Sequence, residues 1–334
     1  MRVIRYLWLF ESRRPDAVLL LSANGGSFVE KALCSWYGRL RGARTLLFIR
    51  AGAYMEEAVR SGLARRMNRL LLGGADMLLC QGPTWQSFFQ REFGIPTARC
   101  PVVPNWTAAP DYIDSGRRRS YTEVGTVNVL FMGWLKEAKG VFDLLEAVKL
   151  VSESTAARVV LHLYGEGSES GRAREWVRVN RMESTVVFHG WVRGDEKRRA
   201  FESAEVFALP SHAEGLPNAM IEAMSMGLPI IATPVGSVPD AVRDEVEGLL
   251  VPPRDVRRLA AAIGRVASSS SLRERLGRAA LSASERYSLE GAVSKIVAAV
   301  KGDGGEAGDL NEPGITSGAR TLLPPAGDRA RKVQ

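Results

Sequence analysis

A chain of 334 residues has room for two domains, and 46% hydrophobic with 25% charged residues excludes wholesale disorder. No run reaches the ~18–20 apolar residues of a membrane span, and three cysteines without paired spacing, Cys34, Cys80 and Cys100, point away from a disulfide framework or a zinc site and toward a reducing cytoplasm. The formal charge of +8 is uneven: residues 1–120 carry 18 Lys and Arg against 9 Asp and Glu, while the remainder carries 27 against 28.

From the amino end, VIRYLWLF is interrupted by Arg5 and followed at once by ESRRPD, so it has neither the length nor the flanks of a secretory signal. Short apolar, β-branched runs then predict strands at 17–22, 45–49, 76–80, 101–103, 127–132, 158–164, 186–189, 205–209, 229–233 and 248–251. Amphipathic stretches lie between most of them, among them 141–152, 171–181 and 255–267. This alternation predicts an α/β protein of parallel sheets wrapped by helices.

The basic excess of the first third is clearest at 56–72. At helical spacing Val59, Leu63, Met67, Leu70 and Leu71 share one side, and Arg60, Arg65, Arg66 and Arg69 spread over the other. One reading is a surface helix covering a sheet with a solvated basic face; the other is an electrostatic dock on anionic lipid. Nucleic acid is not indicated, because no helix-turn-helix, zinc finger or aromatic-interleaved basic strand accompanies the charge. Residues 107–125 carry proline, aspartate, glycine and the run Arg117–Arg119 with little apolar pattern, and they read as a domain boundary. The tail at 302–334, rich in Gly, Pro and charge, reads as disordered.

Two constellations carry chemistry. In PSHAEGLPNAMIEAMSMGLPIIAT (210–233), Glu214 sits just beyond a predicted strand and Pro217 is suited to the first position of a helix. The amides of Gly215 and Leu216 then lie near a helix N-terminus, which favours an anion. Glu222 falls about 7–8 Å further along the axis. The two acids thus address different parts of one elongated ligand, a geometry suited to a sugar nucleotide. In VLFMGWLKEAKGVFDLLEAVKL (129–150), Gly133 opens the turn after a strand, and Lys139 stands where a helix begins. Open α/β sheets hold ligands at such carboxyl ends, and a lysine there neutralises a diphosphate as a point charge. In LYGEGSESG (163–171) the glycines at 165, 167 and 171 do not fit a dinucleotide fingerprint, although a ligand loop including Gly165 remains open. This spacing also disfavours an NAD-dependent oxidoreductase. No Walker motif, nucleophile elbow or HExxH occurs, and His162, His189 and His212 read as scattered structural residues.

Together these segments resemble the retaining, nucleotide-sugar-dependent glycosyltransferases of family 4. The glutamate–seven residues–glutamate motif matches at Glu214 and Glu222, and the Gly-x-Leu-x-x-x-Lys-Gly segment at Gly133, Leu135, Lys139 and Gly140. Similarity continues through FHGW (188–191), Asn105–Trp106 and SLEGAVSKIVAAV (288–300), covering about residues 1–301. The resemblance implies a GT-B-like fold of two Rossmann-like domains facing across a cleft. The implied division is an acceptor-side domain at 1–120, a donor domain at 121–285 and a closing helix at 286–301. It implies Lys139 on the departing diphosphate, Glu214 against the donor sugar and Glu222 on the ribose, with the base held near 188–191 and Val192. The implied donor is a UDP- or GDP-sugar and the implied acceptor a glycan or lipid-linked saccharide, with no metal and no further cofactor. An anionic membrane on the inner face of the plasma membrane stands as a further partner.

Three departures stand out. The family's arginine after the first-motif glycine is Trp134 here, leaving Lys136 or Arg50 to complete the cationic clamp. Arg50 occupies the place of a family histidine in FIRAGAY (48–54). The usual first strand and glycine-rich loop have no counterpart, so the N-terminal domain reads as missing its first βα units. These departures motivate an alternative, a non-catalytic or decayed sugar-nucleotide binder.

Overall fold

The computed structural model describes residues 2–123, 125–154 and 158–302, so the tail from 303 onward lies outside the described residues. The N-terminal unit runs α1 (Arg2–Arg13), β1 (Ala17–Ser22), α2 (Gly26–Leu40), β2 (Arg44–Ile49), α3 (Tyr54–Val59), α4 (Gly62–Leu72), β3 (Met77–Leu79) and α5 (Pro83–Phe93). Its three described strands are parallel in the order β1-β2-β3, with Ala17 opposite Arg44 and Leu46 opposite Met77. Phe28 and Ala32 of α2 pack with Leu20, Leu47 and Ile49 on one side of this sheet, joined by an aromatic group of Tyr54, Trp85, Phe88, Phe89 and Phe93.

The larger unit comprises α6 (Pro110–Arg117), β4 (Thr126–Met132), α7 (Val141–Ser154), β5 (Arg158–Tyr164), α8 (Ser170–Val179), β6 (Val186–Gly190), α9 (Gly194–Glu202) and β7 (Val206–Leu209). It continues with α10 (Asn218–Ser225), β8 (Ile230–Ala232), α11 (Val238–Ala241), β9 (Gly248–Leu250), α12 (Val256–Ala267), α13 (Ser270–Ser284) and α14 (Leu289–Lys301). Six parallel strands lie in the order β6-β5-β4-β7-β8-β9, the doubly wound arrangement of a Rossmann-like domain. All four residues of β7 are buried, as expected of a parallel strand covered on both faces. The order reverses between β4 and β7, and a crevice opens there at the strands' carboxyl ends.

The structure corrects one sequence reading, the strand at 101–103, and adds to two others. Residues 101–103 form no strand; Val102 makes only an isolated bridge to Cys80. The boundary at 107–125 contains helix α6 and is strapped down by polar contacts. Arg119 donates to the carbonyls of Met226, Ala204 and Phe201 at 2.6–2.7 Å, and the Tyr121 hydroxyl to Gly227 O at 2.6 Å. Hydropathy does not register docking made by hydrogen bonds to carbonyls. Helix α4 does not bury the side that Leu63, Met67 and Leu70 share. Those three are exposed, and Leu72 opposite them is buried.

Contacts between the two units frame the crevice. Helix α14 returns to the N-terminal sheet, where Ala292 and Ala299 pack on Leu46, Phe48 and Leu79, and Arg44 Nε donates to Ala299 O at 3.0 Å. Asp240 of α11 caps α5 from the other unit, accepting from Thr84 N at 3.2 Å and from the Thr84 hydroxyl at 2.8 Å. Burial raises the Asp240 pKa, and the hydrogen bonds from Thr84 and Ser237 oppose that shift. Asp240→Ala removes a helix cap and a tie between the units together. Urea unfolding should show a loss of about 0.5–2 kcal/mol; an unchanged midpoint would deny the cap any role.

Candidate active site

The carboxyl ends of four strands, β4, β5, β6 and β7, build the crevice, the end of β6 contributing Trp191 and Val192. After β4 the chain turns at Gly133 and runs through Trp134 and Leu135 to a short 3-10 turn, Glu137–Lys139. After β7 comes the segment carrying Glu214, followed by Pro217 as the N-cap of α10; the proline therefore stands one place before the first helical position. The two loops are tied together, His212 N donating to Ala138 O at 2.8 Å and His212 Nε2 meeting Asp143 Oδ2 at 2.7 Å. Behind β5, Gly165 has φ +129 and its Cα faces the Gly133 carbonyl, such that an added Cβ would lie 1.9 Å from that oxygen. Gly165→Ala forces both strained dihedrals and a clash with backbone. Expected is a loss of about 2–4 kcal/mol in denaturant unfolding, together with weakened ligand binding; a variant as stable as wild type would contradict the packing.

These ends surround a cavity of about 870 Å³, within the range typical of small-molecule sites. Lys139 Nζ lies 2.5 Å from Glu214 Oε1, which also accepts from the Ser211 hydroxyl at 2.7 Å. Glu214 is 7% exposed and the Lys139 side chain 26%, so the pair lines the cavity with one face open. Eight residues on, Glu222 lines the same cavity from α10, and Lys197 of α9 sits 2.7 Å from both its carboxylate oxygens. The geometry makes a hydrogen bond to Oε1 alone, leaving the buried Oε2 without one among the described residues. Burial raises the Glu222 pKa, and Lys197 partly offsets that rise.

Gly215, Leu216, Gly133, Trp134, Gly165 and Val192 all border the cavity, as does Arg50 from the facing unit. Arg50 reaches Asn218 Oδ1 at 3.4 Å and lies over the Trp106 ring at 5.3 Å; burial lowers its pKa. Across the same gap Gly52 approaches so closely that a Cβ there would lie 2.0 Å from the Glu214 carbonyl carbon. Lys136 is the exception among the expected residues. It is exposed, sits 5.4 Å above the Trp134 ring, and does not border the cavity. Trp134 itself packs on Trp191, ring centroids 5.4 Å apart, at the rim.

Sequence reasoning missed three contributors. Lys197 lies in a block of charged residues, Asp195–Arg199, whose register a helix pattern leaves open. Asn105 Nδ2 donates to Leu216 O at 2.5 Å and to Asn218 Oδ1 at 2.7 Å, holding the start of α10 from the other unit. The Asn105–Trp106 pair was the signal for it. His162 and His189 are not scattered: their ring nitrogens lie 2.9 Å apart, and His189 stacks on Tyr164, which borders the cavity. Burial lowers the pKa of both histidines. Among the described residues no three His, Cys, Asp or Glu side chains group as metal ligands, and the three cysteines are free and buried.

A family model described as Glycosyl transferases group 1 matches residues 126–269, and one described as Glycosyl transferase 4-like domain matches residues 1–106. The chain belongs to the family 4 (group 1) glycosyltransferases. It is similar to the D-inositol 3-phosphate glycosyltransferase of Streptomyces griseus, 31% identical over 198 residues, which are 55% of this chain and 42% of that protein. It is also similar to the O-antigen chain mannosyltransferase B of Escherichia coli, 29% identical over 255 residues, 74% of this chain and 64% of the relative. The chain thus spans less than two thirds of either relative's length. The fold matches Anabaena HepE in complex with UDP and glucose, with a TM-score of 0.69 and 19% identity, covering 90% of this chain and 80% of that one. Two Rossmann-like units facing across a crevice give the chain a GT-B fold. Among the described residues no helix is long and apolar enough to cross a membrane.

Proposed function

We propose that this glycosyltransferase moves a hexose from a UDP- or GDP-sugar to a glycan or lipid-linked saccharide, with retention of configuration and without a metal cofactor. One observation carries the reading. At the point where the strand order reverses, Lys139 and Glu214 pair at 2.5 Å on the wall of a cavity that Glu222 also lines from α10.

The chemistry asks for these groups. As the bond from the anomeric carbon to the diphosphate oxygen breaks, its electron pair goes to that oxygen, and positive charge grows on the sugar. The Lys139 ammonium and the amides of Gly215 and Leu216 meet the diphosphate, and the Glu214 carboxylate meets the sugar. The acceptor hydroxyl bonds to the anomeric carbon on the face the leaving group vacates, and its proton passes to the departing diphosphate. The Glu222 carboxylate, which borders the cavity, accepts from a ribose hydroxyl, and the base lies toward Gly165 and Val192. Arg50, not Lys136, adds the second cation, because Arg50 borders the cavity and Lys136 does not. The proposed setting is the cytoplasm, at the inner face of the plasma membrane when the acceptor is lipid-linked, a reading that the free, buried cysteines support.

A thermal-shift series against UDP- and GDP-sugars, followed by product analysis with lipid-linked and free glycan acceptors, tests the proposal. Stabilisation by one nucleotide class with sugar transfer supports it. Stabilisation without transfer to any acceptor makes the chain a sugar-nucleotide binder, and no stabilisation by either class rejects the site assignment.

A further inference from the structure

Helix α4 turns an apolar side away from the protein. Leu63, Met67 and Leu70, at i, i+4 and i+7, are 70%, 54% and 68% exposed. Helix α2 lies against α4, the Trp36 indole donating to Leu70 O at 3.1 Å, and it presents Leu33 and Leu40, also exposed. Scattered exposed leucines are ordinary, but five large apolar side chains on two touching helices form a patch.

The charge beside the patch is equally one-sided. Arg66 borders the stripe at helical spacing, with Arg69 beyond it and Arg60 just ahead of the helix, all three exposed. Among the described residues no carboxylate pairs with Arg60, Arg66 or Arg69, whereas Arg65, on the far side, pairs with Glu92 at 2.8 Å. An apolar stripe edged by unpaired guanidiniums matches a helix lying in the boundary between headgroups and acyl chains. A second copy is the poorer occupant, because two surfaces from a region of net charge +9 would repel.

We propose that the α2–α4 face docks on an anionic lipid bilayer, with Leu63, Met67 and Leu70 entering the acyl boundary and Arg60, Arg66 and Arg69 meeting lipid phosphates. The inference does not depend on the sugar-transfer reading, since vesicle binding is measured without donor or acceptor.

The test is cosedimentation of the full chain with phosphatidylcholine vesicles, with and without about 30% phosphatidylglycerol, at low and high salt. The wild-type chain binds anionic vesicles on the order of 100-fold more tightly than neutral ones at low salt, a preference that salt erodes. The Arg60→Gln/Arg66→Gln/Arg69→Gln variant loses most of that preference. The Leu63→Ser/Met67→Ser/Leu70→Ser variant loses at least about 10-fold in binding to anionic vesicles. All six positions are exposed, so both variants keep the wild-type melting temperature and its shift by nucleotide. Equal binding of wild type to neutral and anionic vesicles, or undiminished binding by the serine variant, overturns the proposal. So does a dimer that the serine variant dissolves while vesicle binding is absent, an outcome assigning the face to a second copy. Loss of nucleotide shifts in the wild-type chain would instead count against the proposed donor site and leave this inference standing.

Discussion

Lys139→Ala should lower the rate of sugar transfer by about 10²–10³-fold, the loss of about 3–4 kcal/mol of transition-state stabilisation that follows removal of one fixed charge contact in such a site. The reason is local. The ammonium lies in the loop that follows β4, where the proposed mechanism puts the growing charge of the departing diphosphate, and its own partner Glu214 is almost wholly buried. Removing the cation also leaves that carboxylate with only the Ser211 hydroxyl named above, so stability should fall by about 1–3 kcal/mol as well. The two effects separate experimentally. Misfolding lowers the amount of active protein, whereas loss of the charge lowers kcat of the folded fraction. Lys139→Arg keeps the charge but changes its shape, and should recover stability more fully than turnover. Wild-type kcat in folded Lys139→Ala would remove this residue from the mechanism.

The second large effect concerns Glu222 and Lys197. Glu222→Gln replaces the charged carboxylate with a neutral amide, and the donor's KM should rise about 10–100-fold with kcat little changed, as expected for a hydrogen bond to a charged group. A 2′,3′-dideoxyribose donor should bind wild type and variant alike; equal discrimination by both proteins against that analogue would show that Glu222 does not read the ribose. Burial raises the Glu222 pKa, so protonation begins at a higher pH than for an exposed glutamate. Affinity for the natural donor should therefore fall as pH drops through that raised value, and affinity for the dideoxy donor should not. For folding the sign is opposite. The raised pKa contributes stability at acid pH that is lost as pH rises through it. Lys197→Met takes away the cation that offsets this cost, and should destabilise the protein near neutrality by about 1–3 kcal/mol, less than for a fully buried pair because Lys197 is partly exposed.

Much of the site was legible before any coordinates. Glu214, Glu222 and Lys139 stand out because strand ends and helix starts leave strong local marks. An apolar run stops, a glycine or proline follows, and a polar residue sits at the junction. The strands of the larger sheet were equally readable, since parallel strands buried on both faces read as continuous apolar runs. Lys197 and the pairing of His162 with His189 were not, and Asn105 was marked only by its place in the Asn105–Trp106 pair. Each acts through a neighbour 25 or more positions away, and local pattern carries no record of such a meeting. Lys136 shows the converse. It was a candidate for the cation missing at Trp134, and the turn directs it over the Trp134 ring and away from the cavity.

The sequence by itself determined the α/β class, most of the strand positions and the acids and lysine that line the cavity, because propensity, periodicity and turn chemistry act over a few residues. Only the tertiary structure decided that Arg50, not Lys136, borders the cavity, that Arg119 straps the boundary segment down, and that α4 shows its leucines to solvent. Periodicity tells which side chains share a side of a helix; which side faces inward depends on what the remainder of the chain brings against it.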